Sequence, residues 1–243
     1  MNSSLTSQGT PPPPTRDRDF SRLRTSPYRT VLCLFLALVS FSCTTRADLV
    51  LEQKIEGDMQ NGSVTLKFKD RKIRVDLGNQ ISTITDADSA EVLTLMHAER
   101  KFTRTSPAAV RAALEQPAAD PTATPQPRPQ PASTGRQEKI GETPCEVFTW
   151  AYGSFTATYW VAKDHPALDL VRKALLPLES SALGALGSHL LPRVGDLSGL
   201  PLKSDIHLDK IHVVTEFVSA KEESLPPNLF EVPKNYSETS ATP

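Results

Sequence analysis

Val64-Thr-Leu-Lys-Phe-Lys-Asp-Arg-Lys-Ile-Arg-Val-Asp-Leu77 decides how the rest of the chain is read. Val64, Leu66 and Phe68 alternate with Thr65 and Lys67. After Asp70-Arg71 the pattern resumes, with Ile73, Val75 and Leu77 set against Arg74 and Asp76. A period of two sends alternate side chains to opposite faces of a strand. With Asp70-Arg71 as the turn, the stretch is a hairpin with one apolar and one charged face. On the charged face Lys67 opposes Arg74 and Lys69 opposes Lys72, and like charges directly opposite destabilise a sheet. The basic ladder of Lys67, Lys69, Arg71, Lys72 and Arg74 then has three readings. It meets an anionic surface such as phospholipid head groups, it belongs to another register, or its lysines splay into water and discourage edge pairing.

Working outward, Leu49–Glu56, Ile81–Thr85, Glu91–His97 and Lys101–Thr105 carry further strand patterns, spaced closely enough for an antiparallel meander. Ser106–Gln116 suits a short helix, with Ser106 as its cap and Pro107 in the first helical position. The prolines of Pro117–Pro131 favour an extended, solvated chain that packs no core. The expectation is a disordered insertion at 117–137 inside one domain, because either half alone would hold only part of a core.

Strands return at Glu146–Tyr152 and Phe155–Val161, joined at Gly153-Ser154. Pairing across that turn sets Trp150 opposite Ala157 and Phe148 opposite Tyr159, with Trp160 on the other face. The aromatic face anchors the core or forms a ligand-binding wall. His165–Leu191 places Leu168, Val171, Leu175 and Leu178 at helical spacing, followed by Leu183, Leu186, Leu190 and Leu191. Pro177 should break or kink this segment. One or two helices against the sheet are expected, either as core packing or as a lid. Phe148, Trp150, Tyr159, Trp160, Leu175 and Leu186 are the candidate ligand-binding residues.

A last hairpin, Pro201–Phe217 about Asp209-Lys210, sets His207 opposite His212, Lys203 opposite Glu216 and Ile206 opposite Val213. Its other face gathers Asp205, His207 and His212. Imidazole and carboxylate suit a zinc or iron site, and cross-strand neighbours are close enough to share an ion. Solvent-facing strands also carry such residues without a metal. The tail, 237–243, is polar and expected to be disordered.

Before the strands, Arg16, Arg18, Arg22, Arg24 and Arg29 precede an apolar run, Thr30–Cys43, and then small and polar residues. This is the layout of an export signal, and the run is shorter than the ~20 residues that span a bilayer. Residues 1–47 are therefore assigned to an n-region and signal. Two processing sites compete. Cleavage after Ala47 follows Thr45-Arg46-Ala47, whereas Ser40-Phe41-Ser42-Cys43 resembles a lipobox in which Cys43 is acylated. An uncleaved signal anchor in the inner membrane is a further alternative. The expected location is the periplasm or, as a lipoprotein, the outer membrane. Membrane contact then runs through the signal or a lipid anchor.

About 195 residues remain after the signal, enough for one domain, 48–236, with its own core. The net charge of −1 gives no bulk attraction for nucleic acid. Cys145 is the only cysteine of the mature domain outside the signal region, which excludes an internal disulfide and a cysteine metal site. No phosphate-cradling glycine loop, nucleophile elbow or histidine-glutamate zinc helix is present, and no local spacing marks a catalytic triad. No cofactor is expected, and an enzyme is not.

Three phrases carry a resemblance. Asp48-Leu-Val-Leu-Glu-Gln-Lys-Ile-Glu56 resembles the opening strand of the outer-membrane lipoprotein carriers LolA and LolB. Lys139-Ile-Gly-Glu-Thr-Pro-Cys-Glu-Val-Phe148 and Leu229-Phe-Glu-Val-Pro-Lys-Asn-Tyr236 resemble the strand start and closing phrase of uncharacterised exported bacterial relatives. The likeness covers most of Asp48–Tyr236. It implies an α+β fold: a curved antiparallel β-sheet, a half-open barrel, with helices over its concave face. In the carriers that cavity receives acyl chains. The resemblance implies no catalytic residue.

Three functions remain in play. The first is an exported, non-enzymatic envelope domain binding a lipid or other apolar ligand between sheet and helices. The second is a membrane-tethered structural or protein-interaction domain with a filled core and an envelope protein as partner. The third is a metal-dependent enzyme using Asp205, His207 and His212.

Overall fold

Strands β2 (Gly62–Lys69) and β3 (Lys72–Leu77) close on Asp70-Arg71, with Lys67 opposite Arg74 and Lys69 opposite Lys72. The expected register is the observed one. The computed structural model describes residues 48–58, 61–115, 129–182, 184 and 192–240. The Thr30–Cys43 run and the two processing sites lie outside these residues, as do Leu183, Leu186, Leu190 and Leu191.

From that hairpin the sheet grows in both directions. The remaining strands are β1 (Leu49–Gly57), β4 (Ile81–Asp86), β5 (Glu91–Met96), β6 (Lys101–Thr105), β7 (Ala132–Ile140), β8 (Thr143–Tyr152), β9 (Phe155–Ala162), β10 (Leu200–Leu208), β11 (Ile211–Glu222) and β12 (Ser237–Glu238). Their order is β12-β6-β5-β4-β3-β2-β1-β11-β10-β9-β8-β7 in one open, curved, mostly antiparallel sheet, with only β12 parallel to its neighbour. Two meanders are thus joined where β1 pairs with β11. Bulges interrupt β11 at Val218, opposite Glu52/Gln53, β10 at Pro201/Lys203 and β7 at Ser133/Gln137. Each bulge adds local twist and helps the sheet bend.

Alternation assigns the faces. Leu49, Leu51 and Ile55, then Val64, Leu66 and Phe68, then Ile73, Val75 and Leu77 line the inner face. They share one core with Phe148, Trp150, Ala157, Tyr159, Leu202, Ile206 and Val213 from the other meander. Helix α2 (Leu168–Glu179) lies over this face and buries Val171, Ala174, Leu175 and Leu178 in it. Pro177 does not break α2; it sits inside the helix two residues before its end. A proline there removes few helical hydrogen bonds. Its carbonyl is taken up by the Arg71 guanidinium at 3.0 Å and by the Ser180 hydroxyl at 3.2 Å. Helix α1 (Pro107–Glu115) starts as expected, with the Ser106 hydroxyl accepting the Ala109 N–H at 3.3 Å.

The outer face of the first meander is covered by the chain's own end. Val50, Ile84, Leu95 and Phe102 form a second cluster with Leu225 and Phe230, and Phe230 belongs to a short 3-10 turn, Pro227–Phe230.

Two expectations are corrected. Residues 132–137, expected inside a disordered insertion, form most of β7, which pairs with β8 at the sheet edge. The segment is polar and almost wholly exposed, so no hydrophobic alternation marks it; backbone pairing makes the strand. The tail, expected to be disordered from 237, instead pairs Ser237 and Glu238 with Lys101 and Phe102 of β6. Of the rest of the insertion, residues 117–128 lie outside those described, as do 241–243.

Candidate functional site

The inner face under α2 is the first candidate. Phe148 opposes Tyr159 and Trp150 opposes Ala157, as expected from the Gly153-Ser154 turn. Phe148, Trp150, Tyr159 and Leu175 share the inner core. Trp160 does not join them. It faces outward, donates its indole N–H to Glu138 at 2.7 Å and lies under the Lys203 ammonium, 5.3 Å from the ring centre. That hydrogen bond is the main reason Glu138 sits below the ordinary glutamate range, with Arg136 adding to it. Strand alternation separates Trp160 from Tyr159. Leu186, the remaining candidate, lies outside the described residues.

Towards β4 and β5 the inner face changes character. Thr83 and Thr94 oppose each other, with Thr85 beside them. All three are buried, and their hydroxyls have no hydrogen-bond partner among the described residues. The Tyr159 phenol is in the same condition, and burial pushes its pKa far up. Buried hydroxyls normally find partners, because an unmade bond costs about 1–3 kcal/mol. The inner face therefore combines an apolar, aromatic wall with hydroxyls that no described residue satisfies. Sequence alternation marked these threonines as strand residues but could not show that they would be buried.

The basic ladder stands in the expected register and finds carboxylates beside it. Lys67 binds Asp76 at 2.5 Å, Lys69 binds Asp48 at 2.6 Å, Arg71 binds Asp88 at 2.5 Å and Arg74 binds Asp76 at 2.7 Å. Lys72 lies opposite Asp86 and helps to hold that carboxyl below its usual range, chiefly set by hydrogen bonds from Ser89. The like charges that face one another across the hairpin are each offset by a carboxylate of the protein itself. Asp76, Asp86 and Asp88 come from the ladder's own strand or the next hairpin, and Asp48 from the chain entry to β1.

Asp76 belongs to a network that sequence spacing did not reveal. Its carboxylate accepts from Lys67, Arg74 and the Ser82 hydroxyl, the last at 2.5 Å. Burial is the largest influence on it and acts upward, but these donors together hold its pKa below the ordinary value. Ser82 lies 2.7 Å from His97 Nε2, and His97 Nδ1 lies 2.7 Å from the Tyr236 hydroxyl. A serine-histidine contact suggests nucleophilic catalysis. However, Ser82 is only 1% exposed and its single proton is given to Asp76, so no substrate reaches it. The network is a clamp on the C-terminal segment, reinforced by Arg74 donating to the Leu229 carbonyl at 2.8 Å.

The third site is the β10–β11 hairpin. Its register is the expected one: His207 opposite His212, Lys203 opposite Glu216, Ile206 opposite Val213. Asp205, His207 and His212 converge on the outer face, their ligating atoms within 4.8 Å of one another. Cys145 is a buried free thiol whose pKa burial raises, the behaviour of a packing residue.

A family model described as a domain of unknown function, DUF4412, matches residues 49–236. No curated protein matches the sequence. Among solved structures, PNGF-II is similar with a TM-score of 0.40 and 14% identity, over 80% of this chain and 32% of that one. The chain thus spans about a third of that protein's length. The lipoprotein LppX of Mycobacterium tuberculosis gives 0.30 and 13% over 81% of this chain and 94% of its own. A LolA superfamily protein of Nitrosomonas europaea gives 0.21 and 11% over 84% and 97%. The uncharacterised domain family expected from the sequence is thus met by the DUF4412 match.

Proposed function

We propose, for a chain that belongs to the DUF4412 family across residues 49–236, that it is an exported, non-enzymatic protein of the cell envelope. Its inner face binds an apolar ligand with a polar end, of the kind an acyl lipid presents. One observation carries this reading: Thr83, Thr85, Thr94 and Tyr159 bury hydroxyls with no partner among the described residues, on the same face as the aromatic wall of Phe148 and Trp150. An acyl chain would lie against the wall and α2, and its polar end would satisfy the hydroxyls. The basic n-region and short apolar run before Cys43 support export. Among the described residues no helix is long and apolar enough to cross a membrane.

The second reading is a tethered interaction domain whose interior is simply filled. It is favoured by the near-complete burial of Tyr159, Ile206 and Leu202.

Displacement of an anilinonaphthalene-sulfonate dye from the full chain by palmitate separates the two. Saturable displacement with one-to-one stoichiometry is the expected result. No displacement at saturating palmitate, with the dye bound only to unfolded protein, overturns the ligand reading and leaves the filled core.

A further inference from the structure

We propose that the outer face of the β10–β11 hairpin binds a first-row divalent transition ion, of the zinc class, through Asp205, His207 and His212. The site lies on the opposite side of the sheet from the inner-face ligand and does not depend on it.

The turn places the ligands. Asp209-Lys210 joins Leu208 to Ile211, so the pair flanking the turn is hydrogen-bonded and the next pair, His207 and His212, is not. The backbone of His212 accordingly turns to β1. Its N–H donates to the Asp58 carboxylate at 2.9 Å, and its carbonyl accepts from the Asp58 N–H at 3.1 Å. In a non-hydrogen-bonded pair the side chains approach most closely. The two imidazoles stack with centroids 4.3 Å apart and planes within 7°. Asp205 precedes His207 by two residues and shares its face. Both Nε2 atoms reach the same oxygen, Asp205 Oδ1, from His207 at 3.0 Å and from His212 at 2.9 Å.

The donor set selects the ion. Two imidazoles and one carboxylate suit zinc and its neighbours, whereas calcium and magnesium take oxygen ligands. Tetrahedral zinc, with bonds near 2.1 Å, holds its donors about 3.4 Å apart. Asp205 Oδ1 already lies 3.0 and 2.9 Å from the two Nε2 atoms, and all three ligand atoms fall within 4.8 Å of one another. Side-chain exposures of 55%, 42% and 31% for His207, His212 and Asp205 let an ion enter from water and leave its other positions to solvent. An ion would accept lone pairs from all three groups. Without it, both rings must direct Nε2–H at one oxygen.

The backbone is fixed for this arrangement. A Cβ on Gly57 would lie 2.3 Å from the His212 carbonyl oxygen, so a glycine is needed for β1 to approach so closely. Asp58 follows at once and binds His212 from both its backbone and its side chain.

Isothermal titration of the full chain with zinc chloride tests the site, with cobalt(II) absorption as the second measurement. The expected result is one equivalent bound, weakened at least tenfold in each of Asp205→Asn, His207→Ala and His212→Ala. Cobalt should give the visible bands of nitrogen and oxygen ligation. All three residues are partly exposed, so the variants should fold. Unchanged zinc affinity in the histidine variants overturns the proposal. So does a cobalt spectrum dominated by thiolate charge transfer, which would assign the ion to cysteine, and so does no binding by the wild type.

Discussion

The Tyr236 hydroxyl lies 2.7 Å from His97 Nδ1, although 139 residues separate the two in sequence. The hydrogen-bond count around His97 fixes the direction of the contact. Ser82 gives its only proton to Asp76, so it must accept from His97 Nε2 and from Arg74, which lies 2.9 Å away. His97 therefore carries its proton on Nε2, and Nδ1 accepts from the tyrosine. Replacing Tyr236 by Phe removes one hydrogen bond and leaves a ring nitrogen unpaired, at a cost of about 1–2 kcal/mol. Hydrogen exchange at Ser237 and Thr239, whose N–H groups bond to carbonyls of Arg100 and Phe102 at 3.1 and 2.8 Å, should speed up in the variant. Unchanged exchange there would mean that the strand pairing alone holds the tail.

The same bare nitrogen makes stability depend on pH. Burial is the main influence lowering the pKa of both His97 and His165; at His97, Arg74 adds to it and Asp76 opposes it. His165 Nδ1 accepts the Ala167 N–H at 3.2 Å, at the entry to α2. A histidine whose folded pKa is lowered binds its proton more readily when unfolded. Neither residue affects stability at alkaline pH. As pH falls below about 6.5 the unfolded state gains protons first and the folded state loses ground, until pH passes the folded values. Asp76 acts later: its contribution is lost only as pH falls through its own lowered value. Urea midpoints should be flat between about pH 7 and 8, below the range where unfolded cysteine and tyrosine ionise, and decline between about pH 6.5 and 5. A His97→Asn, His165→Asn double variant should lose the decline in that window, and a decline of wild-type size in that variant would assign it to other groups.

The hairpins were legible because each combines local alternation with a short turn. Asp70-Arg71, Gly153-Ser154 and Asp209-Lys210 set register without help from the rest of the fold, and the pairs Lys67–Arg74, Phe148–Tyr159 and His207–His212 follow. β7 was not legible, because Ser133 to Lys139 has no apolar face and becomes a strand only where β8 offers its edge. The proline-rich stretch looked like an insertion. In the topology, the whole segment between β6 and β7 connects strands at opposite ends of the sheet. The aspartates that neutralise the basic ladder were hidden for the same reason. Asp48 meets Lys69 only once β1 pairs with β2, and Ser82 meets His97 only across the β4–β5 hairpin.

Gly57 offers a test of how tightly the two meanders are joined. Alanine there would place Cβ 2.3 Å from the His212 oxygen and 3.0 Å from Val213 Cα, both backbone atoms that no rotamer change can move. The expected loss is about 1–3 kcal/mol, as for other overpacked sites. A Cβ on Gly195 would meet no heavy atom within 4 Å, and its φ is not positive, so Gly195→Ala serves as the neutral control. Equal urea midpoints for the two variants would show that β1 and β11 separate at Gly57 without loss.

Thr83 and Thr94 set stability against binding. Valine has nearly the shape of threonine and lacks the hydroxyl, which has no partner among the described residues. If the inner face holds a ligand's polar end, a Thr83→Val, Thr94→Val variant should be more stable when empty, by about 1–3 kcal/mol, because two unsatisfied groups disappear. The same variant should release palmitate more readily, because the ligand's carboxylate loses its donors. A protein with a filled core would show the gain in stability and no dye displacement in either form. The decisive comparison is therefore the urea midpoint with and without palmitate, for wild type and variant. A ligand-induced shift that shrinks in the variant supports a polar contact at these threonines; a shift of equal size in both moves the ligand's polar end elsewhere on the inner face.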